Sequence, residues 1–95
     1  MKVADLTEGA MSAFDLRSAH ILLSKIGGEV YAVSGVCTHE EADLARGFIL
    51  EDRVVCPLHL SQFDLKTGQV MNPPAEVPLQ RFNVKIEGET IFVEV

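Results

Sequence analysis

The chain has 95 residues, of which 47% are apolar, and its formal net charge is −6. This length suits one compact domain, residues 1–95, with enough apolar residues for a buried core. No apolar run approaches the roughly 20 residues that span a bilayer, and Met1–Glu8 lacks a signal-peptide pattern. We therefore expect a cytoplasmic protein that has no membrane partner. The acidic balance disfavours nucleic acid, because phosphate backbones are repelled, and leaves open a basic protein partner or a role in solubility alone.

Short strands separated by tight turns are predicted along most of the chain. The strand segments are rich in apolar and β-branched residues or alternate between apolar and polar positions. They are Ser12–Arg17, His20–Ile26, Glu29–Val33, Phe48–Leu50, Val54–Val55, Phe63–Leu65, Arg81–Ile86 and Thr90–Val95. Gly27-Gly28 is a hairpin signal between two of these strands. The pattern predicts an all-β fold, an antiparallel β-sandwich or barrel.

Two other segments interrupt the strand pattern. Glu40–Arg46 contains residues that tolerate a helix, and it is long enough for one turn. Prolines at 73, 74 and 78 are expected to exclude regular structure from about Asn72 to Pro78.

Two short motifs each combine a cysteine with a histidine, namely Cys37-Thr38-His39 and Cys56-Pro57-Leu58-His59. Residues 40–55 between them contain a hairpin-like pair of strands, which would bring the two motifs side by side. Two thiolates and two imidazoles could then bind one metal centre. A disulfide between the cysteines is an alternative, but no other feature suggests secretion.

A set of two cysteines and two histidines has two main interpretations, a structural zinc site or a Rieske cluster. In zinc fingers a pair of cysteines usually precedes a pair of histidines. Here each motif contains one residue of each type. That order favours a two-iron cluster in which the cysteines bind one iron and the histidines bind the other.

The sequence resembles the Rieske ferredoxins and Rieske domains, and the resemblance covers at least Val33–Val95. Beyond the two motifs, the matching positions are Leu44, Gly47, Phe63-Asp64, Thr67-Gly68, Pro74-Ala75 and Pro78-Leu79. The resemblance implies a basal β-domain that carries a smaller cluster-binding subdomain, about residues 35–65. It implies one [2Fe–2S] cluster, with Cys37 and Cys56 on the inner iron and His39 and His59 on the outer one. A loop at Pro73-Pro74 would help to cover that cluster.

The resemblance also bears on the reduction potential. High-potential respiratory Rieske proteins have a disulfide between the cluster loops, and Ala42 and Leu58 stand at the corresponding positions here. Those proteins also have a serine and a tyrosine whose hydroxyls bond to sulfurs, where this chain has Ser61 and Phe63. With three acids between residues 40 and 43 as well, we expect a potential in the lower half of roughly −150 to +300 mV. Ser61 is either such a donor or an ordinary turn residue.

The resemblance implies a one-electron carrier that is not itself an enzyme and is a monomer. Its expected partners are a flavin-containing NAD(P)H reductase and a terminal oxygenase or reductase, and Leu58 and Leu60 would form an apolar rim on the docking surface. One alternative is the small subunit of a larger reductase, such as nitrite reductase. Another is a zinc-stabilised interaction module. His20 is expected to be a surface or packing residue, far from either motif.

Overall fold

The computed structural model describes residues 2–38, 41–58, 60–73 and 75–94. Within these ranges the strands are β1 (Met11–Leu16), β2 (Ala19–Ile26), β3 (Glu29–Ser34), β4 (Phe48–Leu50), β5 (Arg53–Val55), β6 (Gln62–Asp64), β7 (Val70–Asn72), β8 (Arg81–Glu87) and β9 (Thr90–Glu94). Val3–Asp5 and Leu44–Arg46 form short 3₁₀ turns. In the described part of the chain, no helix is long and apolar enough to cross a membrane. The predicted all-β fold class is confirmed.

The strands form two antiparallel sheets. One sheet has the order β1-β2-β3-β8-β9, and the other has the order β4-β5-β6-β7. In the first sheet β3 pairs with β8 through Ala32 opposite Phe82 and Val33 opposite Arg81. The four-stranded sheet is thus inserted in the sequence between two neighbouring strands of the five-stranded sheet.

Strand β2 is buried on both faces, and this burial divides the core into two clusters. Leu22 packs in one cluster with residues of the four-stranded sheet, whereas Ile21 and Leu23 pack in the other. Successive side chains of a strand point to opposite faces, so a continuous apolar run is required where both faces are covered. The cluster around Leu22 also contains Cys37 and Cys56, which anchors both metal motifs to the core.

Each predicted strand is present with its ends within one residue of the prediction, although Val95 lies outside the described residues. Strand β7 was not predicted, and Asn72 pairs with Gln62 in it. The expectation that regular structure is excluded from Asn72 onward was therefore wrong at its first residue. The residue before a proline favours an extended backbone, so Pro73 ends the strand without preventing it.

Of the predicted helical segment Glu40–Arg46, Glu40 lies outside the described residues, and within residues 41–46 the turn is confined to Leu44–Arg46. The carboxylate of Asp43 accepts a hydrogen bond from the N–H of Ala45 over 3.0 Å and caps this turn.

Candidate metal centre

Cys37 and Cys56 lie together in the buried core, where each is 1% exposed. No disulfide joins these two described residues. Their thiols come from the ends of different strands, since Cys37 follows β3 and Cys56 follows β5. The structure thus brings together the two cysteines that the sequence predicts as ligands.

The first loop closes on itself through main-chain hydrogen bonds. The N–H of Cys37 donates to the carbonyl of Ala42 over 2.8 Å, and the N–H of Glu41 donates to the carbonyl of Cys37 over 2.9 Å. Glu41 has a φ of 54°, in the left-handed region, at the point where the chain reverses. The loop includes His39, which lies outside the described residues.

The second loop repeats this geometry. The N–H of Cys56 donates to the carbonyl of Ser61 over 2.8 Å, and Leu60 has a φ of 59°. In both loops the cysteine N–H bonds to the carbonyl five residues later, and the residue just before that carbonyl is left-handed. His59 in this loop is likewise outside the described residues. Two loops with the same hydrogen-bonding pattern therefore each begin with a buried cysteine, which we call the base of the loop.

The two loops face each other across a groove of about 410 Å³. Ala42 and Asp43 line it from the first loop, and Pro57 and Leu58 line it from the second, beside Arg46. The hairpin of β4 and β5 produces this arrangement, as Phe48 near the first loop pairs with Val55 before the second. The described residues contain no group of three or more potential metal-binding side chains. The assignment of His39 and His59 as ligands remains a prediction.

A third segment, which follows β7, is bonded to both loops. The hydroxyl of Thr38 donates to the carbonyl of Val77 over 2.6 Å. The N–H of Ala75 donates to the hydroxyl of Ser61, a buried residue of the second loop, over 3.0 Å. This segment, residues 73–80, is therefore held against both loops, and we call it the covering segment. It contains Pro73 of the loop predicted to help cover the cluster, a role that stays a prediction, while Pro74 is outside the described residues.

His20 is close to the first loop, so the expectation that it lies far from either motif was wrong. Its Nδ1 is 2.7 Å from Asp15 Oδ1, and its Nε2 is 3.1 Å from Asp43 Oδ1. The hydrogen bond to Asp15, and then that to Asp43, raise the pKa of His20 above its ordinary value of 6.5. No local signal in the sequence marked this contact, because it joins a residue of β2 to a loop residue 23 positions later in the chain.

The pKa of Asp43 is shifted in the opposite direction. Partial burial alone would raise the pKa of Asp43, but hydrogen bonds from the N–H of Ala45 and from His20 outweigh it. The pKa is therefore lowered from its ordinary value of 3.8. A carboxylate that accepts two hydrogen bonds stays ionised, so this part of the loop carries a negative charge.

The family model for the Rieske [2Fe-2S] domain matches residues 1–83. The chain is 40% identical over 94 residues to the 3-phenylpropionate/cinnamic acid dioxygenase ferredoxin subunit of Escherichia coli (strain K12), which covers 98% of this chain and 88% of that protein. The corresponding subunit of Shigella boydii serotype 4 (strain Sb227) has the same identity and coverage.

Solved structures agree with these relatives. The ferredoxin of carbazole 1,9a-dioxygenase from Nocardioides aromaticivorans IC177 superposes with a TM-score of 0.93 at 32% identity, over 98% of this chain and 91% of that one. The Sphingomonas yanoikuyae B1 ferredoxin superposes with a TM-score of 0.92 at 26% identity, over 99% and 93% of the two chains.

The fold and the family match define a small iron–sulfur protein of the electron-transfer class. The chain belongs to the Rieske [2Fe–2S] family, and it is similar to ferredoxin subunits over almost its whole length. Those relatives are components of dioxygenase systems rather than the catalytic enzymes themselves. The expectations of a Rieske-type ferredoxin and of a non-enzymatic component are therefore confirmed.

Membership of this family implies one [2Fe–2S] cluster, and the described residues fit it. Thiolates are the soft ligands that iron–sulfur clusters require, and Cys37 and Cys56 lie in one buried cluster at the base of matched loops. When bound, such a cluster takes up and releases single electrons. The protein contributes burial, which shields the thiolates from water, and a hydrogen-bonded frame that sets the spacing of the loops.

Proposed function

We propose that this protein carries single electrons from a flavin-containing NAD(P)H reductase to a terminal oxygenase, as a monomer in the cytoplasm. The observation that carries the proposal is the pair of matched loops with Cys37 and Cys56 buried at their base. The relatives named as dioxygenase ferredoxin subunits support the oxygenase as acceptor. Because those relatives are ferredoxin subunits, the proposal makes the protein a scaffold for the cluster rather than a catalyst.

We propose that Cys37 and Cys56 bind one iron, and that His39 and His59 bind the other, more exposed iron. The burial of both cysteines in the core supports the assignment of their iron as the inner one. We also propose that a cluster-binding subdomain, about residues 35–65, projects from a basal domain. The insertion of the four-stranded sheet between β3 and β8 supports this division.

We propose that the partner docks on the apolar rim around the two loops. Leu58 and Leu60 in the second loop are 47% and 59% exposed, and Val77 in the covering segment is 58% exposed. Neighbouring exposed apolar side chains mark interaction surfaces. In a solved complex of reduced oxygenase and oxidized ferredoxin in carbazole 1,9a-dioxygenase, one chain superposes on this protein with a TM-score of 0.93 at 28% identity.

The two alternative functions, a small subunit of a larger reductase and a zinc-stabilised interaction module, receive less support. A putative nitrite reductase small subunit superposes with a TM-score of 0.83 at 23% identity, a likeness that shows the fold alone. A zinc-stabilised module does not account for 40% identity to ferredoxin subunits. Visible absorbance separates zinc from an iron–sulfur cluster, and size-exclusion chromatography of the native protein separates a free carrier from a subunit.

The docking proposal is tested by electron transfer from the reduced protein to an aromatic-ring oxygenase component in a stopped-flow experiment. The Val77→Glu variant should lose about tenfold or more in rate, as expected for a charge buried at the centre of an interface. Leu50→Glu is the matched control, because Leu50 is 48% exposed but lies at the opposite end of the β4–β5 hairpin.

Both variants must retain the visible absorbance of the wild-type protein. Equal rates in Val77→Glu and wild type would contradict this docking surface. If the acidic surface steers the encounter, rates should also fall as salt is added.

A further inference from the structure

His20 connects the five-stranded sheet to the first metal-binding loop. It lies on β2, opposite Asp15 of β1 in the strand register. Its ring spans from Asp15 to Asp43, which precedes the 3₁₀ turn and belongs to the returning half of the loop. The side chain of His20 is 28% exposed, so both contacts are partly shielded from water.

Gly35 provides the space for this ring. A Cβ atom built on Gly35 would lie 2.7 Å from Cδ2 of His20, closer than carbon atoms pack. The N–H of Gly35 donates to the carbonyl of His20 over 2.9 Å, and the carbonyl of Gly35 accepts from the N–H of Leu44 over 2.8 Å. The side chain of His20 therefore contacts the returning half of the loop directly, and its main chain is connected to that half through Gly35.

Asp43 connects His20 to Cys37, the proposed cluster ligand in this loop. Val36 and Asp43 form an antiparallel bridge, and the next pair inward is the hydrogen bond from the N–H of Cys37 to the carbonyl of Ala42. A shift of Asp43 would alter the pairing that holds Cys37. On this geometry we propose that His20 is a positioning residue for the first metal-binding loop, acting through Asp43. The inference rests on the proposed function, since it concerns a loop that binds the cluster.

The chemistry of imidazole makes this positioning dependent on pH. An imidazolium ring donates from both nitrogens and can bond both carboxylates at once, whereas a neutral ring donates from one nitrogen only. Among the described residues, the charged groups that face His20 are Asp15 from β1 and Asp43 from the loop, and Arg46 acts on the same Asp43 carboxylate. Both carboxylates favour the protonated ring. Loss of that proton at higher pH leaves one of the two bonds without a donor.

The experiment measures cluster release to an excess of an iron chelator, followed by the loss of visible absorbance, from mildly acidic to mildly alkaline pH. In the wild type the rate of cluster release should rise several-fold as the pH is raised, with an inflection above pH 6.5. In His20→Gln, whose side chain does not titrate, release should be fast throughout and this inflection should be absent. Any titration of the ligands themselves is common to both proteins, so it cancels in the comparison.

Two isosteric variants separate positioning from general stability. Asp43→Asn retains an oxygen that can accept from both the N–H of Ala45 and His20 but removes the negative charge, so its inflection should move to lower pH than that of the wild type. Asp15→Asn retains the bond between His20 and Asp43, so its release rate at low pH should equal that of the wild type while its inflection moves to lower pH. The double variant of His20→Gln and Asp43→Asn should release the cluster no faster than His20→Gln alone.

Identical release profiles for wild type and His20→Gln would overturn the inference. So would a uniform acceleration in all variants with the inflection retained, because that result assigns His20 to general stability. If His20→Gln does not fold, inflections in Asp15→Asn and Asp43→Asn that stay at the wild-type pH would overturn the inference instead. A wild-type protein without iron or visible absorbance would instead contradict the proposed function, and this is seen before any chelator is added.

Discussion

The buried hydroxyl of Ser61 accepts a hydrogen bond from the backbone N–H of Ala75 over 3.0 Å. This bond joins the second metal-binding loop to the segment that covers it. A hydroxyl that accepts one bond still has its own proton to donate. Ser61 therefore stabilises the contact between the loop and this segment, whether or not its own proton bonds to a sulfur of the cluster.

Replacement of Ser61 by alanine is predicted to destabilise the protein by about 1–3 kcal/mol, because the N–H of the buried Ala75 loses its acceptor. If the hydroxyl proton bonds to a sulfur of the cluster, the midpoint potential also falls, since that bond favours the more negative reduced state. Urea unfolding and a redox titration measure the two effects.

Ser24→Ala is the matched control for this change. Ser24 is also fully buried, but its hydroxyl has no hydrogen-bond partner among the described residues, so its loss should cost little. A destabilised Ser61→Ala variant with an unchanged potential would restrict Ser61 to its structural role.

The variants Cys37→Ser and Cys56→Ser are each predicted to lose the cluster. A serine hydroxyl is a poor substitute for a thiolate on iron, and the two loops then lack the metal that ties them together. Wild-type protein should contain two irons and two acid-labile sulfides per chain, measured by colorimetric analysis, and each variant should be colourless. A colourless wild type with one zinc per chain would refute the cluster.

The midpoint potential is predicted to fall at alkaline pH. If His39 and His59 each bind iron through one ring nitrogen, the other nitrogen keeps an N–H that the ferric ion makes more acidic. Reduction raises the pKa of that N–H, so above the oxidised pKa each electron is accompanied by a proton. One coupled proton gives a slope of about 59 mV per pH unit.

At pH values below the pKa of this N–H in the oxidised protein, the midpoint potential should be independent of pH. A titration of the midpoint from neutral to strongly alkaline pH tests both regions. A flat line throughout, with the cluster intact, would contradict ligation by solvent-accessible histidines.

Gly47→Ala is predicted to destabilise the protein by about 1–3 kcal/mol or more, as overpacking does. Gly47 has an ordinary φ of −84°, but a Cβ there would collide with the backbone carbonyl of Val55, which cannot move without disturbing β5. Gly88→Ala is the control, because Gly88 has a φ of 60° and open space around its Cα. Thermal unfolding that ranks Gly88→Ala as the more damaging change would contradict this account.

Glu8 is predicted to stabilise the hairpin of β2 and β3 only above acidic pH. Its carboxylate accepts hydrogen bonds from the N–H groups of Gly28, over 2.9 Å, and Gly27, over 2.6 Å. These bonds, with that from Gly28 the larger, lower the pKa of Glu8 from its ordinary value of 4.5. A lowered pKa contributes stability that is present above pH 4.5 and is lost as the pH falls through the folded-state value.

Glu8→Gln should therefore unfold at a lower temperature than wild type near neutral pH, and the two proteins should converge in acid. Glu29→Gln removes the same charge at an exposed position beside the same turn, and it serves as the control. Equal effects of the two substitutions would show that net charge, rather than the bonds to the turn, determines the difference.

The sequence alone was sufficient to predict every described strand except β7 and to single out the two cysteine–histidine motifs, because both depend on neighbours in the chain. Alternation along β8 and the continuous apolar run of β2 reflect whether one face or both faces of a strand are covered. Cys37 and Cys56 could be recognised because each lies within three residues of a histidine, and a single tight loop enforces that proximity.

Only the tertiary structure decided which distant residues meet. The pairing of β3 with β8, the pairing of Asn72 with Gln62, and the contact between His20 and Asp43 join segments that no local pattern links. A ring nitrogen or a hydroxyl can bond to any suitable donor or acceptor nearby. The residue type alone therefore does not predict which partner it bonds in the folded protein. The packing of the four-stranded sheet against one face of β2 determines that choice, since it brings the first loop and the covering segment within hydrogen-bond distance of their partners.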